Sequence, residues 1–379
     1  MLLHFHDPAK LKTKKVVYEE TYYARDSGTL EQLKELSSRR RAVEESINGS
    51  SSITAAIARE MAGGTTSRVQ QDIQKLEQYL PLLENLVTSV ESVGDNDRIL
   101  QWTTDLKIRW TSALIASSPF NLGGPKFFRL DHLRFEFGMT LSLYGALLRE
   151  RALEFLSSDL VESATLFRRA SGVYQYLAQD VLPPLETMLP PERPLEATPS
   201  MASIMSLVCL AEAQAVTVQK AEAIATSGGL LAKLHYGVVQ FLEEASSLLK
   251  SNVGDWNDIS DRFRRFLSGC SILHEARSQR YIAGDLKVSE QMGLAVGVLR
   301  YALSNFQGKW PGEDSWRQTY KQELDALSEM LRKCEHENDF IWHDKLPYLD
   351  ELPHLEGKKI AAPIAYKPFR LDREFVFVV

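Results

Sequence analysis

From Thr29 onward the apolar positions recur three or four residues apart over long runs, the spacing that one face of an α-helix needs. Thr29 with Gln32, and Ser67 with Gln70, have capping-box spacing ahead of such runs and predict helix starts. Thr198 followed by Pro199 predicts another, because the hydroxyl can cap and proline at the first helical position gives up a donor that would be unpaired anyway. That helix is predicted to reach Thr226, where Ser227-Gly228-Gly229 breaks the pattern, and the next runs from Leu230 to Lys250. Further helices are predicted over 131–156, 159–182, 258–283, 286–307 and 313–334. Lys15 to Tyr23 and Leu106 to Ile115 instead alternate partially and are rich in β-branched and aromatic residues, so short strands are expected there, with Phe375 to Val379 as another.

Long helices joined by short loops pack antiparallel, and a series of such pairs makes a solenoid with a concave and a convex side. No tetratricopeptide consensus is visible, so likeness to those repeats is expected in structure alone. The predicted fold is mainly α: an elongated, curved helical solenoid of tetratricopeptide-like helix pairs with a small β-sheet near the N-terminus. The helical array is expected over 29–334 and an extended strap over 335–379. Pro347 and Pro353 lack a backbone donor, and Pro347 biases Leu346 away from the α region, so the chain must leave its last helix. Phe340, Ile341, Trp342, Leu346, Leu349, Leu352 and Leu355 interleave with acids there, and the strap is expected to bury them against the body.

With 379 residues, 44% hydrophobic and 25% charged, the chain can build a large core. Single compact cores stop growing at about 250 to 300 residues, so the choice is two domains or one elongated body. No linker of useful length divides the sequence, and Leu182 to Ser200 reads as an interhelical loop, which favours one domain over 1–379. The net charge of -6, with basic residues dispersed among acids, argues against a nucleic-acid partner. Three sparse cysteines, Cys209, Cys270 and Cys334, fit a reducing, cytoplasmic setting. Met-Leu-Leu-His-Phe-His-Asp-Pro does not read as a signal peptide, and no apolar stretch of about 18 residues is expected to span a membrane. Leu2 in place of glycine and the ending Phe-Val-Phe-Val-Val offer no lipidation motif, so a membrane would be reached through a partner.

Catalytic chemistry has little support. Neither a nucleophile elbow, a Walker loop nor a Gly-x-Gly-x-x-Gly run is present, and Gly63-Gly64-Thr65-Thr66-Ser67 reads as a helix-capping loop. Cys334, His336, His343 and His354 are metal-ligating types, but their spacing fits no zinc pattern, so neither metal nor cofactor is expected. His4, His6 and Asp7 read as a surface cluster. Arg39, Arg40 and Arg41, followed by Glu44 and Glu45, place opposite charges at i, i+4 on what is expected to be a solvated helix face. Lys10, Lys12, Lys14 and Lys15 would each contribute on the order of 1 kcal/mol beside anionic lipid; a solvated edge strand is the plainer reading.

The predicted helix from Leu230 carries Leu230, Leu231, Leu234, Val238, Phe241, Leu242, Ala245, Leu248 and Leu249 within an arc of about 120°. Such a stripe is core, while Leu230 and Leu248 mark one edge that faces either a neighbouring helix or an open groove. The run Asn338-Asp339-Phe340-Ile341-Trp342-His343-Asp344-Lys345-Leu346-Pro347 resembles the C-terminal signature of the Bro domain family of endosomal scaffolds. Ala211 to Ala221 followed by Leu230-Leu231-Ala232-Lys233-Leu234, together with Ala170-Ser171-Gly172, is similar to further stretches of that family.

The resemblance implies a boomerang-like, non-enzymatic scaffold whose groove accepts the C-terminal amphipathic helix of an ESCRT-III filament subunit of the charged multivesicular body class. It makes Leu230 and Leu234 apolar contacts, Lys220 a partner for the acidic side of that helix, and Ile360 the residue that closes the groove. Two residues depart from the pattern. Thr217 stands where Alix-type members place an aromatic groove residue, and Trp342 replaces a tyrosine that those members can have phosphorylated. The second domain and proline-rich tail of Alix-type members, and the prenylation box of others, have no counterpart, so a free-standing Bro domain is expected. It would be cytoplasmic and recruited to endosomes and multivesicular bodies, touching the membrane indirectly. A groove retuned to an ESCRT-I subunit, as Thr217 hints, and an enzyme on a helical scaffold are the alternatives.

Overall fold

The computed structural model describes residues 2–49, 67–94, 96–116, 124–251, 258–309, 312–369, 371 and 373–378. Helix α1 (Ser27–Asn48) starts before Thr29, because the Asp26 carboxylate accepts the Thr29 N–H at 2.7 Å and takes the cap. Helix α2 (Arg68–Ser92) begins after Ser67 as predicted, but that hydroxyl donates to Glu154 at 2.8 Å instead of capping. There follow α3 (Asp97–Asp105), α4 (Leu133–Glu154), α5 (Leu160–Tyr176) with a π-helical turn over Leu177–Val181, and the short α6 (Pro183–Glu186). Then come α7 (Pro199–Ala223), α8 (Gly228–Ser251), α9 (Asp261–Val288), α10 (Met292–Phe306) and α11 (Arg317–Glu337). Thr198 caps α7 by accepting the Met201 N–H at 3.3 Å, with Pro199 in the first turn. Gly228 and Gly229 open α8 as well as separating it from α7; Gly228 lies close against Tyr281 and Asp285 of α9, and Gly229 against Asp285. The capping loop predicted at Gly63 to Thr66 lies outside the described residues.

The long helices pack in chain order, α1 on α2, α2 on α4, α4 on α5, then α7, α8, α9, α10 and α11, each chiefly against its neighbours, which is the architecture of a solenoid. One continuous apolar core runs through the array. Contrary to the sequence expectation, α7 is long and apolar enough to cross a membrane by length and composition, but 78% of its most apolar window is buried, and it packs between α5 and α8. Its hydropathy is that of a helix covered on nearly every side.

Buried ion pairs fix the register of the layers. The Arg149 guanidinium on α4 forks onto Glu212 on α7, Nε to Oε2 at 2.7 Å and Nη2 to Oε1 at 2.5 Å. Arg40 overturns the expectation of a solvated arginine face: it is fully buried and holds Glu136 on α4 at 2.5 Å, while Trp110 Nε1 and the Tyr79 hydroxyl donate to the same carboxylate at 2.6 and 3.0 Å. Three consecutive helical positions span more than half a turn, so one of them had to point inward.

The predicted strand over 15–23 does not form. Tyr18 and Tyr22 turn the chain there, because their buried hydroxyls bond Tyr79 and Thr103 at 2.7 Å each. The region 106–115 does supply a strand, β1 (Arg109–Trp110), paired antiparallel with β2 (Phe128–Arg129), which the pattern did not predict. Thr13 bridges Trp110 from the other side, and Phe377 makes a single bridge to Ala24.

Helix α11 does not stop at residue 334. It continues to Glu337 and through a π-helical turn, Asn338–Trp342, ending where His343 adopts a left-handed φ of 54°. The strap therefore begins at His343. It crosses the array where glycines admit it: a Cβ on Gly297 of α10, Gly237 of α8 or Gly172 of α5 would collide with Pro347, the Lys358 carbonyl or the Ile364 carbonyl respectively. Its far end returns to the start of the chain, with the Val376 N–H donating to Thr29 Oγ1 at 2.9 Å.

Candidate functional site: the α7–α8 edge and the strap

The residues singled out by sequence lie on three elements. Thr217 and Lys220 are on the last turns of α7, Leu230 and Leu234 on the first turns of α8, and Ile360 on the strap. Gln214 joins them. Its fully buried amide Nε2 donates to the carbonyls of Leu234 and Lys358 at 2.8 and 2.9 Å, and its Oε1 accepts the Ile360 N–H at 2.8 Å. The Lys358 N–H adds a bond to the Lys233 carbonyl at 2.8 Å, and Lys233 pairs with Glu356 at 2.9 Å. One side chain thus fixes the strap against both helices, and with all its polar atoms engaged it makes a satisfied buried amide. Gln214 falls within the stretch Ala211 to Ala221, whose resemblance to the family gave it no role. The signal was there, since a long polar residue among alanines on a core helix needs polar partners.

Exposure divides the predicted contacts. Leu230 is 37% exposed and Ile360 45%, Lys220 is exposed, and Thr217 is half-buried with its hydroxyl donating to the Ala213 carbonyl at 2.9 Å. Leu234 is only 5% exposed and packs with Val218 and Leu231 beneath the surface, bordered by Ala221 and Tyr281. As a direct contact for a partner, Leu234 is corrected: it lies one turn beyond Leu230 on the inward side of the stripe and supports the surface from below.

Under that small cluster is a polar network that the sequence did not reveal. His235 Nδ1 lies 3.0 Å from His274 Nδ1, and its Nε2 lies 3.2 Å from Glu222, which also accepts the Tyr281 hydroxyl at 2.8 Å. Two facing Nδ1 atoms at that distance need one proton between them, so the neutral tautomers must be complementary. Burial holds His235 below the ordinary histidine value, opposed by its bond to Glu222. His274 is held well below that value by burial, with Arg277 and His235 adding to the effect. Burial alone would raise the Glu222 carboxyl, but hydrogen bonds from His235 and Tyr281 outweigh it and hold it at about 2.

The signature run separates into two sets. Asn338 is buried and staples the end of α11, with Nδ2 donating to the Asp344 carbonyl and Oδ1 accepting the Asp344 N–H, both at 3.1 Å. The Asp344 carboxylate accepts the Gly293 N–H at 3.1 Å, capping α10 from outside, and Pro347 sits over Gly297. Asp339, Phe340, Ile341 and Trp342 face solvent, as does Leu349, so the expected burial of these apolar residues is overturned; Leu346 and Leu352 do pack on the core. A π turn sends consecutive side chains in different directions, and the one side facing the body is taken by Asn338. Cys334 is buried while His336 packs at a tilt against Phe340 with ring centres 4.5 Å apart, and no three His, Cys, Asp or Glu side chains are arranged to hold a metal ion among the described residues.

A helical solenoid with an extended strap across it and a partly open apolar edge is the build of an interaction scaffold. The BRO1-like domain model matches residues 58–375, and the chain belongs to that family. It is 25% identical over 298 residues to the human BRO1 domain-containing protein BROX, covering 74% of this chain and 69% of that protein. To the Xenopus laevis programmed cell death 6-interacting protein it is 24% identical, over 65% of this chain but only 28% of that longer protein. Among solved structures, the ALIX BRO1 CHMP4C complex superposes with a TM-score of 0.69 at 20% identity, covering 97% of this chain and 95% of that one. A Bro1 domain solved for its role in endosomal targeting gives 0.66 at 17% identity, covering 96% and 94%. The mainly α solenoid read from the sequence is therefore the fold of this family.

Proposed function

We propose that this protein is a non-enzymatic scaffold whose α7–α8 edge, completed by the strap, captures the C-terminal amphipathic helix of an ESCRT-III subunit. It would be recruited in this way from the cytoplasm to endosomes and multivesicular bodies. The observation that carries the reading is Leu230: of the two stripe residues left open, Leu230 and Leu248, it is the one at the edge where Gln214 pins the strap and presents Ile360. Lys220 supplies an exposed cation on the same end of α7 for an acidic helix face. The solved relative bound to CHMP4C supports the partner class.

Each leucine-sized side chain of a partner buried here contributes about 1.5 to 3 kcal/mol before ordering costs. Two or three of them set a ceiling near micromolar affinity, about 8 kcal/mol. Closely spaced copies of the helix along a filament would add avidity. Leu230→Asp is expected to abolish binding of the isolated helix, read by fluorescence anisotropy, while circular dichroism and melting temperature stay near wild type. Binding that survives the substitution rejects the site. Thr217, whose hydroxyl is spent on its own helix, weakens the apolar surface; tighter binding of an ESCRT-I subunit in the same titration would replace the ESCRT-III reading.

A further inference from the structure

The strap is seated on two helices and left unsupported over the one between them. It lies against Gly297 of α10 through Pro347 and Leu352, and against Gly237 of α8 through the Lys358 carbonyl. Helix α9 packs between α8 and α10, and Glu275, Gln279 and Ile282, at successive helical turns, share the face it turns to the strap. Over that face the strap bridges instead of packing. It leaves a hollow of about 350 Å³ walled by Tyr236 of α8, Tyr301 of α10 and the strap between Leu349 and Leu355.

The polar groups in this hollow are unengaged. Gln279 is only 4% exposed, yet its amide makes no hydrogen bond among the described residues, an arrangement that is unfavourable for a buried amide until something supplies the partner. Glu275 is half-buried and forms no ion pair among the described residues. Burial raises its carboxyl above the ordinary value, with Lys309 opposing from beyond ion-pair distance and Glu243 adding. Tyr236 and Tyr301 are half-buried, and among the described residues neither hydroxyl is hydrogen-bonded and neither ring stacks on another ring or on a cation. A carboxylate at the floor, an amide one turn along and an aromatic ring on either wall are the surroundings of a flat organic cation. The oxygens accept its N–H groups and the rings cover its faces.

We propose that the hollow between α9 and the strap binds an arginine side chain presented by a basic protein segment, with Glu275 receiving the guanidinium and Gln279 a remaining N–H. A guanidinium suits the site better than an ammonium, because its planar fork matches a carboxylate and its faces stack on aromatic rings. Leu349 and Pro353 are exposed on the rim, so residues flanking the arginine have an apolar surface to cover. Asp350 is exposed on the same rim, and with the net charge of -6 it favours a basic partner. The site is separate from the α7–α8 edge and stands whether or not that edge binds a helix.

The test is saturation-transfer NMR on the full chain, with N-acetyl-arginine amide as the probe. N-acetyl-citrulline amide, which keeps the shape and loses the charge, should bind at least about tenfold more weakly, the factor that one charge-assisted hydrogen bond supplies. Glu275→Gln should weaken the arginine probe by a similar factor while the melting temperature holds or rises, since an unpaired, half-buried carboxylate has gone. A merely structural role for Glu275 would give the reverse pairing. Gln279→Leu, which puts an apolar group where the amide stood, should also weaken the probe. No transfer to the arginine probe, equal binding of the citrulline probe, or binding unchanged in Glu275→Gln would overturn the proposal. So would displacement of the probe by spermidine at a lower concentration than arginine amide itself requires, which would assign the hollow to a free polyamine.

Discussion

Along α8, nine apolar residues at helical spacing send all but Leu230 and Leu248 into the core; at the end of α11, three consecutive apolar residues, Phe340, Ile341 and Trp342, remain exposed. The first region has neighbours on both sides, α7 and α9, and a periodic stripe meets them along its whole length. The second is a π turn whose one body-facing position is held by a polar residue, Asn338. Hydrophobicity alone therefore did not predict burial. Periodicity did, because it states that many side chains share a direction, and a direction can be covered by another element.

The sharpest way to break the comparison is at Leu234. Leu234→Asp puts an unpaired charge under the α7–α8 edge and should cost about 3 kcal/mol or more in chemical denaturation, whereas Leu230→Asp should stay within about 0.5 kcal/mol. Equal losses would mean that the edge is core throughout. Gly172→Val should cost about 3 kcal/mol, since its side chain must displace the Ile364 carbonyl, and limited proteolysis should then cut within the strap. A strap that stays protected would show that the glycine crossing is not what seats it.

Acidification probes the network below the edge. Because burial depresses both His235 and His274, the unfolded chain takes up protons that the fold resists once pH falls through the ordinary histidine range, about 6.5. The melting temperature should fall between about pH 7.5 and 5.5, and the slope should be shallower in His274→Gln. Glu222, held at about 2, is ionised throughout that window in the fold, as are ordinary carboxylates in the unfolded chain, so it adds nothing to the slope. The smallest effect belongs to the tip of α11: Phe340→Ser with Ile341→Ser should change stability by no more than about 0.5 kcal/mol. A larger loss would show that the tip packs on the body in solution.

Helix positions were legible because caps and apolar spacing are local: Thr198-Pro199 opens α7, and the stripe from Leu230 marks the core face of α8 with Leu230 and Leu248 at its edge. The fold class and the extended tail after Pro347 follow from the same local chemistry. What spacing could not supply was the partner of each polar group. Asp26 displaced Thr29 as a cap, Arg40 went inside to meet Glu136, and Tyr18 and Tyr22 turned a would-be strand toward buried hydroxyl partners. Gln214 became the clamp of the strap only because Leu234, Lys358 and Ile360 arrive around it from two other segments. The sequence by itself determined where helices run and which stripe each one buries, since both depend on neighbours along the chain. Only the tertiary structure decided which edge stays open, which charges are buried and where the strap crosses, because hydrogen bonds and close approaches between distant segments set those outcomes.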